Sequence, residues 1–383
     1  MIKIISVVGA RPNFMKIAPF IHAINRYNAI NEDRIEHILV HTGQHYDDRM
    51  SKTFFESLNI PDADINLGIG SGTHAEQVGN TMIAFEQVLL EEMPDWVVVL
   101  GDVNATLACS VTAKKLKIKV CHIEAGLRSM DMDMPEEINR LVTDRLSDLL
   151  LTPDKMAVDN LVKEGVQAKN IEFVGNIMID TLEEHREQAS KIKIEDIIRE
   201  NKINDTEYQD ALKKEFAVVT LHRPSNVDNE KVFVALVNFL LNEVTTQMEI
   251  AWAVHPRAEK QLKAFGLWNK LISNKRTVLL HPLAYHDMLR LNMGAKLMLT
   301  DSGGLQEECT VLGTPCLTMR WNTERPVTLK EHGGLSVLVG NNIDRIRKEF
   351  EVVYNTQTQP VFPELWDGKT AERCLNAILR FEM

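Results

Sequence analysis

A chain of 383 residues is too long for one ordinary hydrophobic core, so two domains are expected. Its 44% hydrophobic and 25% charged content is that of a globular protein, and a net charge of -11 excludes a general nucleic-acid or anionic-membrane surface. Five scattered cysteines (Cys109, Cys121, Cys309, Cys316, Cys374) form no C-x-x-C pair, which excludes a zinc or disulfide framework and favours small buried thiols in a reducing cytosol.

In chain order, IKIISVVG (2–9) reads as a strand, and a helix-like segment follows from about residue 12 to residue 27. EHILVHTG (36–43), DWVVVLGD (95–102), KVCHIEAG (119–126), LLLTP (149–153) and IEFVGN (171–176) repeat the apolar strand. Residues 187–215 are highly charged without an apolar run, and read as surface helix near a domain junction. The alternation restarts with FAVVTLH (216–222), EIAWAVH (249–255), TVLLHPL (277–283), AKLMLTD (295–301) and TPCLTM (314–319). A closing amphipathic helix is expected over 370–383. Near-continuous apolar strands alternating with helical patterns imply α/β parallel sheets covered on both faces. The expected division is a Rossmann-like domain over 1–180 and a second over 181–365, with about 366–383 free to pack back on the first. The N-terminus lacks a signal-peptide pattern, and no apolar stretch approaches the ~20 residues needed to cross a bilayer, so a cytoplasmic protein without membrane association is expected.

Ligands of open parallel sheets bind outside the carboxyl ends of the strands. The unusual polar residues fall there in both halves: Arg11, His41, Gln44, His45, Asp102 and Glu124, then His222, Arg223, His255, His281, Asp301 and Ser302. In LTDSGGLQEE, Ser302, Gly303 and Gly304 stand between a strand and a helix, where bare backbone and a helix dipole suit a phosphate. Glu307 and Glu308 follow one turn later, in reach of a ribose diol or as plain helix acids. Arg11 and Lys16 flank another strand-to-helix junction, while LHRPSN, VHPR and MRWNTERP add His222, His255, Arg320 and Arg325. HIEAGLRSMDMDMPEEINR (122–140) differs in supplying acids beside bases. Asp102, Glu124 and Glu136 can converge there as acid/base groups, with Arg128 and Arg140 positioning them or meeting substrate anions. Alternatively PEEINR is only a helix start with a Glu136–Arg140 pair at i, i+4.

GARPNFMK, TGQH, GDVNATLA, HIEAGLRS with MPEEINR, LHRPSNVDN, VHPR, and LTDSGGLQEE with LGTPCLTMR and TERP run in order from residue 9 to residue 326. Together they resemble the non-hydrolysing UDP-N-acetylglucosamine 2-epimerases. The resemblance implies a GT-B architecture, two Rossmann-like domains with parallel sheets facing a central cleft, usually as a homodimer. It implies interconversion of UDP-GlcNAc and UDP-ManNAc by anti elimination of UDP to 2-acetamidoglucal and re-addition with inversion at C2, supplying cell-surface polysaccharide precursors. The partners are then the UDP-sugar substrate and UDP, and neither cofactor nor metal is implied. Carried over by motif, Asp102, Glu124 and Glu136 are the acid/base carboxylates and His222 is a catalytic histidine near the phosphates. Arg11 and Lys16 lie by the nucleotide, and Ser302, Gly303 and Gly304 form the pyrophosphate loop. Glu308 binds ribose, Arg325 and His255 are basic contacts, and uracil lies by Leu283. Gln44, His45 and Gln77 match a second, allosteric nucleotide-sugar site, but Tyr46, Asp47 and Glu76 depart from its pattern. HRPSN also stands where HRREN is common, which leaves open a UDP-diacetamido-uronic acid as substrate, as well as hydrolytic release of ManNAc and UDP. A GT-B glycosyltransferase or a non-catalytic nucleotide-sugar binding module would leave the acid cluster unexplained.

Overall fold

The computed structural model describes residues 2–43, 60–203, 212 and 215–382. The chain forms two compact units, one from Met1–Thr181 with Pro363–Met383 and one from Leu182–Phe362.

Among the described residues the first unit holds a seven-stranded parallel sheet of β1 (Ile2–Val8), β2 (Ile35–His41), β3 (Ile65–Asn66), β4 (Trp96–Leu100), β5 (Lys119–Ile123), β6 (Leu149–Thr152) and β7 (Ile171–Phe173). Their order is β3-β2-β1-β4-β5-β6-β7. WVVVL of β4 is buried throughout, because a central strand with helices on both faces has no solvent side to alternate toward. The order reverses between β1 and β4, whose neighbouring ends open a crevice for the loops that follow them. The helix Arg11–Ile30 starts directly after β1. There Asn13 accepts the Gly9 and Ala10 N–H groups at 3.2 and 3.1 Å and donates to the Leu100 carbonyl at 2.9 Å, which ties the turn to the end of β4.

The segment after Phe362 completes this unit. The buried Trp366 indole donates to the Pro153 carbonyl at 3.0 Å. The Asp180 carboxylate accepts the Thr370 and Ala371 N–H groups at 3.0 and 2.7 Å, capping the helix Thr370–Glu382.

The second unit repeats the plan with six parallel strands, β8 (Phe216–Thr220), β9 (Glu249–Ala253), β10 (Thr277–Leu280), β11 (Leu297–Thr300), β12 (Cys316–Thr318) and β13 (Ser336–Leu338), in the order β10-β9-β8-β11-β12-β13. Here the reversal lies between β8 and β11.

Two-sheet α/β architecture thus follows the expected rhythm, with local departures. β3 and β13 were not anticipated, because two or three residues at a sheet edge carry too little periodicity to register. The charged stretch from residue 187 is not all surface. It contains the end of the helix Ile177–Ser190 and the helix Ile194–Asn201, whose Ile197 and Ile198 are buried against Phe216 and Val218.

Candidate active site

Two groups of polar side chains occupy the strand ends, one group in each unit. In the first unit, the Lys16 ammonium, one turn into its helix, is buried and ion-paired with Glu124. It also lies beside Gly101, where an added Cβ would come within 3.0 Å of Nζ. Glu124, just past β5, is buried and left-handed at φ +73°. Its own N–H and that of Ala125 both reach the Leu151 carbonyl at 3.0 Å, and this double contact fixes the turn. A non-glycine residue there costs on the order of 1–3 kcal/mol, a strain that surrounding structure must over-determine. Gly126 follows at φ +82°, where a Cβ would meet the Ala157 carbonyl oxygen at 2.4 Å, so only glycine fits.

Asp102, after β4, is half-buried and pairs with Arg140, which also donates to Glu137 through Nε at 2.9 Å and Nη2 at 2.5 Å. The alternative Glu136–Arg140 pair does not form; Arg140 makes an i, i+3 pair with Glu137 instead. The Arg140 guanidinium is drawn toward the buried side of the helix Pro135–Leu146, where both Asp102 and Glu137 wait. Glu137 is scaffold: burial opposes its ionisation, but the Ser129 N–H, Arg140 and the Met130 N–H hold it below the usual carboxylate range. Glu136 sits exposed in the first turn of that helix. Arg128 is buried and committed to Asp144 at 2.7 Å and Glu164 at 2.7 Å.

The supporting pair His122 and Asp144 was missed as such. The buried His122 ring sits between the Gly101 carbonyl (Nε2, 2.8 Å) and Asp144 (Nδ1, 2.6 Å), and Asp144 also accepts the Gly126 N–H at 3.0 Å. Burial opposes ionisation of Asp144, yet His122 and Arg128 hold it below the usual range. These contacts join the turns that carry Asp102 and Glu124. Gln77 belongs to a neighbouring chain of amides: Asn104 donates to Gln77 at 2.7 Å, and Asn139 donates to the Asp102 carbonyl at 2.8 Å and to Asn104 at 3.3 Å. Gln44 and His45 lie outside the described residues, as does the Arg11 side chain.

In the second unit, Ser302 stands at the start of the helix Gly303–Leu312 without a side-chain capping bond, and the first turn carries no acid, so its N–H groups suit an anion. The Ser302 N–H is itself bound by the Thr300 hydroxyl at 3.0 Å. A Cβ on Gly303 would lie 2.7 Å from Glu324 and 2.9 Å from Arg325, whereas Gly304 faces open space. Arg325 is buried and paired with Glu324 and, at 2.9 Å, Glu307. Glu307 and Glu308 are buried rather than solvated helix acids. Burial, then the Glu307 charge, pushes the Glu308 carboxyl up to about 8.

His222 and His255 end β8 and β9 with ring centroids 5.6 Å apart, His222 half-buried and His255 exposed. His222 Nδ1 meets the buried Asp301 carboxylate at 2.7 Å. Leu283 is buried, and Tyr285, two residues on, is buried at the start of the helix Tyr285–Gly294.

A family model described as UDP-N-acetylglucosamine 2-epimerase matches residues 28–379. The chain is 40% identical over 377 residues to the UDP-N-acetylglucosamine 2-epimerase of Methanocaldococcus jannaschii, covering 98% of each. The crystal structure of that archaeal enzyme in complex with UDP-GlcNAc and UDP matches with a TM-score of 0.86, over 99% of this chain and 100% of that one. A Pseudomonas aeruginosa UDP-2,3-diacetamido-2,3-dideoxy-D-glucuronate 2-epimerase is 39% identical over 350 residues, covering 90% of each. A lipopolysaccharide outer core galactosyltransferase, 13% identical with a TM-score of 0.54 over the full length of both chains, shares the GT-B fold alone.

Proposed function

The chain belongs to the UDP-N-acetylglucosamine 2-epimerase family, and we propose that it interconverts UDP-GlcNAc and UDP-ManNAc without hydrolysing either. One observation carries the reading. In a chain 40% identical to a named 2-epimerase, a helix N-terminus suited to a diphosphate accompanies strand-end carboxylates held by buried bases.

In the proposed reaction a carboxylate removes the proton at C2 as the C1–O bond breaks, giving 2-acetamidoglucal and UDP. The UDP oxygen then re-forms the bond to C1, and an acid delivers a proton to the opposite face of C2. Asp102, Glu124 and Glu136 are the acid/base set. Lys16 and Arg140 keep two of these carboxylates oriented through ion pairs, so less reorganisation is needed in the transition state. The N–H groups of Gly303 and Gly304, with the Ser302 hydroxyl, take the diphosphate, helped by Arg11, His255 and Arg325. Glu308 takes the ribose, uracil lies by Leu283, and His222 serves the phosphates and the leaving oxygen. We place the enzyme in the cytoplasm as a homodimer supplying polysaccharide precursors. In keeping with this, no helix among the described residues is long and apolar enough to cross a membrane. Gln77, in its amide chain to Asp102, is the described member of the proposed allosteric set.

Incubation with UDP-GlcNAc in deuterated water should place deuterium at C2 and yield UDP-ManNAc. Free UDP accumulating in step with ManNAc would assign the hydrolysing reaction instead. Neither exchange nor isomer from folded protein, with a panel of UDP sugars, would overturn the reading. A second substrate is favoured by the 39% identity to the diacetamido-glucuronate epimerase, so the panel includes that sugar.

A further inference from the structure

Asp301 stands just past the end of β11, between Thr300 and the Ser302-Gly303-Gly304 turn, and its carboxylate is engaged by the loop after β8. It accepts the N–H of His222 at 3.1 Å to both oxygens, the N–H of Arg223 at 2.9 Å, the Asn226 amide at 3.0 Å and His222 Nδ1 at 2.7 Å. The Asp301 carbonyl takes the Arg223 guanidinium at 3.0 Å, and Asn226 continues to the Met319 carbonyl at 2.9 Å. One side chain thereby fixes the loop after β8 to the loops after β11 and β12. Behind it the Thr220 and Thr300 hydroxyls meet at 2.6 Å.

The donors around Asp301 exceed what a strand junction requires, and one of them is an imidazole edge. Burial opposes ionisation of Asp301, but the His222 ring and the surrounding N–H groups hold it below the usual carboxylate range, so it is an acceptor only. His222 Nδ1 must then carry a hydrogen, and in the neutral ring Nε2 is the nitrogen with the lone pair. His255 is set the other way. Its Nδ1 accepts the Arg257 N–H at 3.1 Å, so its hydrogen lies on Nε2. The adjacent rings therefore offer unlike nitrogens, an acceptor from His222 and a donor from His255.

We propose that Asp301 is a positioning residue that holds His222 in the Nδ1–H tautomer and in register with the diphosphate loop. His222 Nε2 is then the atom that exchanges a proton at the bound UDP sugar. This rests on the UDP-sugar epimerase reading above. It assigns Asp301 an effect that acts through His222 rather than on the ligand. Replacing the carboxylate by an amide puts N–H donors against the N–H groups of His222, Arg223 and Asn226, and the ring loses its fixed tautomer.

The test has two parts. In the unmutated protein, ¹⁵N-histidine NMR should show His222 as the Nδ1–H form, assigned by its loss in His222→Ala. An Nε2–H form or an averaged mixture would overturn the proposal even if D301N does not fold. In kinetics with UDP-GlcNAc, or whichever UDP sugar the panel identifies, Asp301→Asn should lower kcat by roughly 10²–10⁴-fold, the range of a lost acid/base group, with UDP affinity changed far less. In the His222→Ala background the same change should cost almost nothing further. Losses that multiply in the double variant would make Asp301 merely structural and overturn the proposal. If no UDP sugar reacts, the functional reading fails, while the NMR result still judges the tautomer by itself.

Discussion

Glu124 is where the most physical constraints meet: burial, a left-handed backbone and an ion pair to a buried lysine. Glu124→Gln keeps the shape and an acceptor oxygen but loses the proposed proton-transfer group. Turnover should fall by about 10²–10⁴-fold with UDP affinity largely kept, as separate kinetic and calorimetric titrations would show. Retained turnover would remove Glu124 from the acid/base set. Glu308 allows a test by pH. Its folded-state value of about 8 lies above the ordinary 4.5, so its contribution to stability is complete below about 4.5 and lost as pH rises through about 8. Glu308→Gln should therefore flatten the fall of Tm between pH 5 and pH 9, checked by thermal melts across that range. At this scale, the placement of Glu124 at a strand end was legible, because an acid between an apolar strand and Ala-Gly has no ordinary solvated role. The pairing of Arg140 with Glu137 and Asp102 was not. Both i, i+3 and i, i+4 partners were present, and the choice depended on which helix face was buried.

Helices and turns hold these residues through contacts distant in sequence. Gly126 permits the turn after Glu124 and the close approach of the helix Lys155–Lys163, so Gly126→Ala should destabilise the chain by about 1–3 kcal/mol, measurable by denaturant unfolding. The closing helix is an integral layer of the first unit. Asp180→Ala removes its cap and should cost about 1–2 kcal/mol. Truncation after Phe362 should also expose the surfaces buried by Trp366, Leu375 and Ile378 and lower Tm strongly in calorimetry. The amphipathic pattern of residues 370–383 announced this helix, but not the Asp180 cap, whose partners are 190 residues away. Likewise, nothing local marked His122 and Asp144 as partners 22 residues apart, although each is visible as a polar residue in an apolar setting.

At the scale of the molecule, both sheets reverse order where their site loops emerge, between β1 and β4 and between β8 and β11. This is why Lys16 and Asp102 fall into one cluster, and His222 and Ser302 into the other. The proposed homodimer predicts a sedimenting mass of twice the 43.5 kDa chain, with a monomer at micromolar concentration as the result against it.

Composition, the repeated apolar strand and the polar strand ends determined by themselves that this is a two-sheet α/β chain with its unusual polar residues gathered at the carboxyl ends. Those features are local, and hydrophobic burial acts on them wherever the segment lies. Tertiary structure decided which bases hold which acids, that Glu308 is buried beside Glu307, and that Asp301 faces His222. Each depends on the distance between side chains on different strands or helix turns. Strand order and packing set that distance, and one-dimensional spacing does not.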